Sequence, residues 1–176
     1  MKIYRVSELV KPRDYVSLAM IVAGEEGTHI HRLLAEKYRL IRGRHIEQTV
    51  VCWLTKKASK PSPILGWISG HPDMWWVDGT QLHIVDWKTI SPKVKIGTES
   101  WWWNQVSLYA LLILINHPSL EITSIHQELW VYQRKDQAAE TITSYTPFQR
   151  TTTPTSLKKR IGCKNGCGEL WTNPII

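Results

Sequence analysis

The sequence of 176 residues lacks long apolar runs and contains only three cysteines. The longest apolar run, residues 109–115, is far shorter than the ~20 residues that a membrane-spanning helix needs. The N-terminal residues also lack the apolar segment of a signal peptide. An odd number of cysteines argues against a secreted disulfide scaffold. We therefore expect a protein of the cytosol, or of a host cytosol if the source is viral, with no membrane partner.

Acidic residues are fewer than basic ones, with 15 Asp and Glu against 22 Lys and Arg, and the formal net charge is +7. Such an excess favours a polyanionic partner, nucleic acid before others, with an ordinary basic surface as the alternative. The 43% hydrophobic content predicts a folded chain with a sizeable core. We expect a single domain over residues 1–176.

Phenylalanine occurs once, whereas tryptophan occurs ten times. Trp75-Trp76 and Trp101-Trp102-Trp103 form two clusters. Consecutive side chains of a helix or strand cannot all face one core, so at least one member of each cluster should be exposed or line a cleft. Trp102 and Trp103 are candidates for stacking on the bases of single-stranded DNA. Packing in the core or in an oligomer interface is the alternative.

Residues 64–89 predict a hairpin with a turn at Asp78-Gly79. The second strand alternates, so Asp86 and Lys88 project from one face. The turn would place Asp73 opposite residues 83–84, within reach of Asp86 given a bend at Pro72. Two carboxylates with an ammonium group predict a Mg²⁺ or Mn²⁺ site. A surface ion pair at the strand end is the alternative for Asp86 and Lys88.

The remaining patterns predict helices and strands in alternation. Glu25 and Glu26 are expected in the first turn of a helix, and Thr98 is expected to cap another. The predicted elements are helices at 14–24, 25–40 and 99–116, strands at 49–56, 125–133 and 141–145, a polar connector at 151–155 and a short basic helix at 156–161. This order predicts an α/β fold whose central mixed sheet is flanked by helices.

Four short motifs in this order resemble those of one nuclease family. Gly-His-Pro-Asp at 70–73 followed by Asp-Trp-Lys at 86–88 resembles the PD-(D/E)XK motif. Gly27-x-x-x-His31, Asp-Trp-Lys-Thr at 86–89 and Gln105-x-x-x-Tyr109 resemble elements of its RecB-like branch, which includes RecB exonuclease and CRISPR-associated nucleases. The resemblance covers residues 24–133.

The resemblance implies a restriction-endonuclease-like core and a Mg²⁺- or Mn²⁺-dependent DNA nuclease. Hydrolysis of phosphodiester bonds at DNA ends or in single strands, as an exonuclease, is the expected activity. A structure-specific endonuclease or junction resolvase, and a catalytically silent nucleic-acid-binding subunit, are the alternatives. The implied metal ligands are His31, Asp73, Asp86 and the main-chain carbonyl of Trp87. The implied catalytic residues are Asp73, Asp86, Lys88, Gln105 and Tyr109.

Two histidines compete for the ligand position on the predicted helix. The family spacing from Gly27 favours His31, which also shares a helix face with Leu34 and Tyr38. His29 is the alternative.

The C-terminal part, residues 151–176, is expected to be an irregular basic tail. Lys158, Lys159 and Arg160 are candidates for contacts with the DNA backbone. Several RecB-like nucleases hold an iron–sulfur cluster with four cysteines, but Cys52, Cys163 and Cys167 are too few, so no cluster is expected. Cys163 and Cys167 could instead bind a metal or form a local disulfide. The chain has no Walker motif and hence no ATP motor of its own. A homo-oligomer, or a helicase or recombination partner, remains open.

Overall fold

A computed structural model describes residues 2–10, 18–55, 64–90, 95–133 and 145–160. In chain order the elements are β1 (Lys2–Arg5), α1 (Val6–Val10), α2 (Leu18–Arg39), β2 (His45–Ile46), β3 (Val50–Thr55), β4 (Ile64–Gly70), β5 (Met74–Asp78), β6 (Gln81–Ile90), α3 (Ser100–Asn116), β7 (Ser124–Gln133), β8 (Thr146–Thr152) and α4 (Pro154–Arg160). No helix in these ranges is long and apolar enough to cross a membrane.

The fold is mixed α/β, as expected, but its strands form two sheets. One has three strands in the order β1-β4-β3, and the other has five in the order β2-β5-β6-β7-β8. Both are mixed, because β1 pairs parallel to β4 and β6 pairs parallel to β7 while the other pairs are antiparallel. The chain passes from one sheet to the other at 71–73, where Pro72 breaks the strand.

Helix α3 contacts both sheets, and α2 contacts the five-stranded sheet at β6 and β2. Residues 105–113 of α3 are all buried, as expected for a helix that is apolar almost all round. Leu82 and Ile84 of β6 belong to the core that includes α3. Val85 and Trp87 belong to a second core that includes Leu34 of α2. The alternating side chains of β6 therefore supply both cores.

The hairpin of β5 and β6 turns one residue later than predicted. Asp78 pairs with Gln81, so Gly79 and Thr80 form the two-residue turn, and Asp78 belongs to the strand. The turn needs a positive φ at its first central position, which Gly79 provides with φ +56°. The first strand of this hairpin is β5, because Ile64–Gly70 lies in the other sheet.

Two expectations about helix starts are wrong. The helices predicted at 14–24 and 25–40 are a single helix, α2, so Glu25 and Glu26 lie in its middle and not in its first turn. The internal Gly24 and Gly27 cost a helix only about 1 kcal/mol each, which packing against a sheet outweighs. At α3 the N-cap is Glu99, which makes no side-chain capping bond. The Thr98 hydroxyl instead accepts a hydrogen bond from Trp103 Nε1 at 3.2 Å.

Residues 151–160 are regular, which corrects the expected connector at 151–155 and the irregular tail from 151. β8 continues to Thr152, and Thr153 caps α4 by accepting a hydrogen bond from the Ser156 amide at 3.2 Å. Pro154 occupies the first helical position, where its missing N–H costs nothing. Most of the strand predicted at 141–145 lies outside the described residues, and β8 begins directly after it.

Candidate active site

The carboxylates of Asp73 and Asp86 lie at the end of the β5–β6 hairpin that is remote from the turn. The register pairs Met74 with Val85, so Asp73 lies one residue beyond the last pair, on the Asp86 side. The predicted pairing of Asp73 with residues 83–84 is therefore wrong by two residues, because the turn had been assigned too early. The correct register brings the two carboxylates closer together.

Both oxygens of the Asp73 carboxylate are held. Oδ2 accepts a hydrogen bond from the Trp87 main-chain N–H at 2.6 Å, and Oδ1 lies 3.1 Å from His31 Nδ1. Only 5% of Asp73 is exposed. A buried carboxylate anchored in this way keeps a single orientation, which a metal ligand requires.

His31 reaches the site from α2, on the opposite side of the sheet from α3. Its ring packs edge-on against Trp87, with centroids 5.7 Å apart. Burial lowers the pKa of His31, but the hydrogen bond and charge of Asp73 outweigh burial and raise it. His29 is exposed, and its Nδ1 accepts a hydrogen bond from Arg32 at 3.2 Å. Of the two candidate histidines, the structure thus places His31 at Asp73.

Asp86 and Lys88 form a close pair, with Lys88 Nζ 2.5 Å from Asp86 Oδ2. Burial raises the pKa of Asp86 to about 6; the Asp73 charge adds to this rise, and Lys88 opposes it. Burial is the first cause of this rise, and the opposing effect of Lys88 is larger than the effect of Asp73. A divalent cation beside the two carboxylates would favour their charged forms.

A hydrogen-bond chain leads from Lys88 into α3. Lys88 Nζ donates to Gln105 Oε1 at 2.9 Å, and Gln105 Nε2 donates to the Tyr109 hydroxyl at 2.7 Å. Gln105 and Tyr109 are four residues apart and share a helix face. Burial raises the pKa of Tyr109, so the phenol stays neutral. Gly70 allows this packing, because a Cβ there would lie 2.8 Å from the Tyr109 ring.

Trp101 of α3 lies close to the ammonium of Lys88. Lys88 Nζ is 5.6 Å from the centroid of its partly exposed ring. Trp101 was not singled out from the sequence, although its spacing of four residues from Gln105 places both on one helix face. Trp102 and Trp103, the residues that were singled out, are partly buried against the core. The guanidinium of Arg150 also covers the Trp103 ring at 4.4 Å.

Glu47 is a second site residue that sequence reasoning missed. Its carboxylate, His31 and Asp73 each offer a ligand atom, and these atoms lie within 4.8 Å of one another. The Glu47 amide donates to the Asp73 carbonyl at 3.0 Å. Its φ of 49° makes it the one non-glycine residue with positive φ among the described residues. No motif marks Glu47, since it reaches the site only through the pairing of β2 with β5.

The donor set fits Mg²⁺ or Mn²⁺. Carboxylate oxygens from Asp73 and Glu47 are hard ligands that both ions accept, and the imidazole of His31 suits Mn²⁺ better than Mg²⁺. Asp86 lies outside this group of mutually close ligand atoms, and its role as a ligand stays a prediction. The raised pKa of Asp86 supports a cation at this place. The main-chain carbonyl of Trp87 was expected to be a further metal ligand. Trp87 lies between Asp86 and Lys88, and this role of its carbonyl stays a prediction.

The other predicted site residues either make none of these contacts or lie outside the residues that the structure describes. Lys158, Lys159 and Arg160 end α4, and their side chains are outside the described part of the chain. Cys163 and Cys167 also lie outside it. Cys52 is fully buried in β3.

Comparisons with known proteins add a fold but no activity. No protein-family model and no curated protein sequence matches the chain. The crystal structure of SSO0001 is similar, with a TM-score of 0.56 and 15% identity over 84% of this chain and 65% of that one. The chain thus spans just under two thirds of the length of SSO0001. At this identity the likeness concerns the fold alone, and it agrees with a mixed α/β architecture.

Proposed function

We propose that this chain is a metal-dependent DNA nuclease that acts as an exonuclease on DNA ends or single strands. The observation that carries the proposal is the convergence of two buried carboxylates, Asp73 and Asp86, with the ammonium of Lys88. His31 on one side and the Gln105–Tyr109 pair on the other close this group. Burial first, and the charge of Asp73 in addition, raise the pKa of Asp86. A buried ion pair of purely structural purpose would not need this second carboxylate.

Each residue has a role that its contacts support. Asp73, Asp86 and His31 would hold Mg²⁺ or Mn²⁺, with Glu47 as a further ligand. The bound ion would supply Lewis-acid stabilisation of the phosphate and an acidified water. Lys88 would donate to a phosphate oxygen or position the attacking water.

Gln105 and Tyr109 act through Lys88. The Gln105 oxygen accepts one ammonium hydrogen at 2.9 Å, which orients the other two N–H groups. The amide cannot rotate freely, since its nitrogen donates to the Tyr109 hydroxyl. Such preorganisation lowers the cost of reaching the transition state.

The substrate class follows from charge and from the aromatic ring beside the lysine. The net charge of +7 favours a polyanion. Trp101 lies next to Lys88, so a base stacked on its ring would place the adjoining phosphate near the ammonium. Trp101 therefore replaces Trp102 and Trp103 as the best candidate for stacking.

The direct test compares end-labelled linear DNA, single-stranded DNA and closed circular DNA with Mg²⁺, Mn²⁺ or EDTA. We expect linear and single-stranded substrates to be degraded with either ion and to survive in EDTA. Lys88→Ala should slow cleavage by about 10²–10³-fold. Lys37→Ala, which removes an exposed lysine of α2, should leave the rate unchanged and is the matched control.

The outcomes separate the alternatives. If the wild-type protein cleaves none of the substrates with either ion, the proposed nuclease activity is wrong. The alternative of a catalytically silent nucleic-acid-binding subunit then remains. Cleavage of closed circles would instead indicate a structure-specific endonuclease. Equal loss of activity in Lys88→Ala and Lys37→Ala would remove Lys88 from the mechanism.

A further inference from the structure

A second group of ligand-type side chains lies at the other end of β6. His83 of β6 pairs with His126 of β7, and Val85 pairs with Glu128. Residues two apart on a strand share a face, and so do paired residues of neighbouring strands, so His83, His126 and Glu128 project together. This face of β6 also carries Trp87, whereas Asp86 and Lys88 project from the opposite face.

The three side chains are close enough to bind one ion. Each offers one ligand atom, and these atoms all lie within 4.8 Å of one another. His126 Nε2 lies 3.4 Å from Glu128 Oε1. His83 and His126 have ring centroids 5.3 Å apart at an angle of 60°.

Neighbouring side chains form hydrogen bonds with Glu128 and His126 through the atoms that do not face the cluster. Glu128 Oε2 accepts hydrogen bonds from Trp130 Nε1 at 2.7 Å and from Gln149 Nε2 at 3.5 Å, which leaves Oε1 toward the cluster. His126 Nδ1 lies 3.3 Å from the Thr151 hydroxyl, which leaves Nε2 toward the cluster. Metal-binding histidines and carboxylates are typically supported in this way, through the atom that does not bind the ion.

The ring of His83 is held by stacking, but one of its nitrogens has no hydrogen-bond partner among the described residues. Its ring stacks on Trp76 with centroids 4.5 Å apart and planes 7° from parallel. His83 Nδ1 is buried and makes no hydrogen bond to the described residues. A neutral imidazole has one unprotonated ring nitrogen, and this is the atom that a metal ion binds.

We propose that His83, His126 and Glu128 form a zinc-binding site separate from the candidate active site. Two imidazoles and one carboxylate are a ligand set that Zn²⁺ takes in tetrahedral sites, with a water in the fourth position. Mg²⁺ prefers oxygen ligands alone, so it should bind there poorly. His83 is five residues from Lys88 on the same strand, a separation of about 16 Å, so the proposal does not depend on nuclease activity.

The position of the site suggests what the ion does. It would join β6 to β7 across their parallel pairing, and Thr151 and Gln149 extend the support to β8. Strand β6 carries Asp86 and Lys88 at its other end. A bound Zn²⁺ therefore stabilises the sheet that positions the catalytic residues, and it should raise the Tm by mass action.

The test measures zinc binding in a protein whose candidate active site is disabled by His31→Gln and Asp73→Asn. Equilibrium dialysis with Zn²⁺ and metal analysis give the number of ions bound. Adding His126→Gln should remove one bound ion, and adding Thr151→Val should weaken the binding of that ion by about 10-fold. His29→Gln, which changes an exposed histidine outside both groups, should change nothing. Cys163→Ser with Cys167→Ser should also leave this ion bound.

A second measurement uses the wild-type protein and needs no substitution near the site. Side-chain ¹H–¹⁵N spectra should show ring-nitrogen shifts for His83 and His126 on addition of Zn²⁺ and none on addition of Mg²⁺. Unchanged His83 and His126 signals in excess Zn²⁺ would overturn the proposal. So would an equal number of bound ions with and without His126→Gln, in a variant that keeps the circular dichroism of its parent.

Discussion

Keeping Asp86 ionised in the folded protein costs free energy, and this cost predicts how stability depends on pH. Burial, with a contribution from Asp73, raises the pKa of Asp86 from its ordinary 3.8 to about 6, against the effect of Lys88. Between these two values the folded chain holds a proton that the unfolded chain has released. The stability of the metal-free protein therefore falls as the pH rises through this window.

The size of the effect follows from the two pKa values. The difference between 3.8 and about 6 corresponds to about 3 kcal/mol. Of this, about 2 kcal/mol is lost between about pH 4.5 and about pH 7.5. Asp86→Asn keeps the shape but has no proton to lose, so it should lack this part of the pH dependence. Lys88 loses its carboxylate partner in the variant, so the two proteins are compared by how their stabilities change with pH and not by their absolute stabilities.

Urea denaturation in EDTA, followed by tryptophan fluorescence, measures the effect. The free energy of unfolding of the wild type, relative to Asp86→Asn, should fall by about 2 kcal/mol between the two pH values. Excess Mg²⁺ should remove most of that fall, because a cation at Asp86 compensates the buried charge. Profiles of the two proteins that stay parallel within about 0.5 kcal/mol in EDTA would refute the reasoning.

Three further substitutions test other parts of the structure. Gly70→Ala should lower the free energy of unfolding by about 1–3 kcal/mol, because its Cβ would lie 2.8 Å from the Tyr109 ring. Gly97→Ala is the control, because a Cβ there meets open space. Equal urea midpoints for the two variants would disprove the clash at Gly70. Arg150→Met should cost about 3 kcal/mol, because its guanidinium donates to three acceptors on α3 and β7; a Tm within error of the wild type would contradict this. Glu47→Gln should weaken Mn²⁺ binding by about 10-fold or more, and an unchanged affinity in calorimetry would exclude Glu47 as a ligand.

Local patterns predicted β3, β6, β7 and α3, whereas they divided α2 into two helices and did not predict β1 or β2. The alternation of β6 and the apolar character of α3 are properties of neighbouring residues, so they can be read without the fold. The shared faces of Asp86 with Lys88 and of Gln105 with Tyr109 follow from the same periodicities. The errors fell at turns and helix ends, where one residue decides the register. Whether Asp78 or Gly79 begins the turn moved the partner of Asp73 by two positions.

The sequence by itself determined which residue types share a strand or helix face, and hence that an acid and a lysine project together from β6. Only the tertiary structure decided which residues of other helices and strands lie beside this strand's functional side chains. Glu47 arrives through the pairing of a two-residue strand, and Trp101 approaches Lys88 because α3 packs across the sheet. His83 joins His126 and Glu128 only because β6 and β7 pair in parallel. These contacts join residues far apart in the chain, and no local periodicity encodes such long-range pairing.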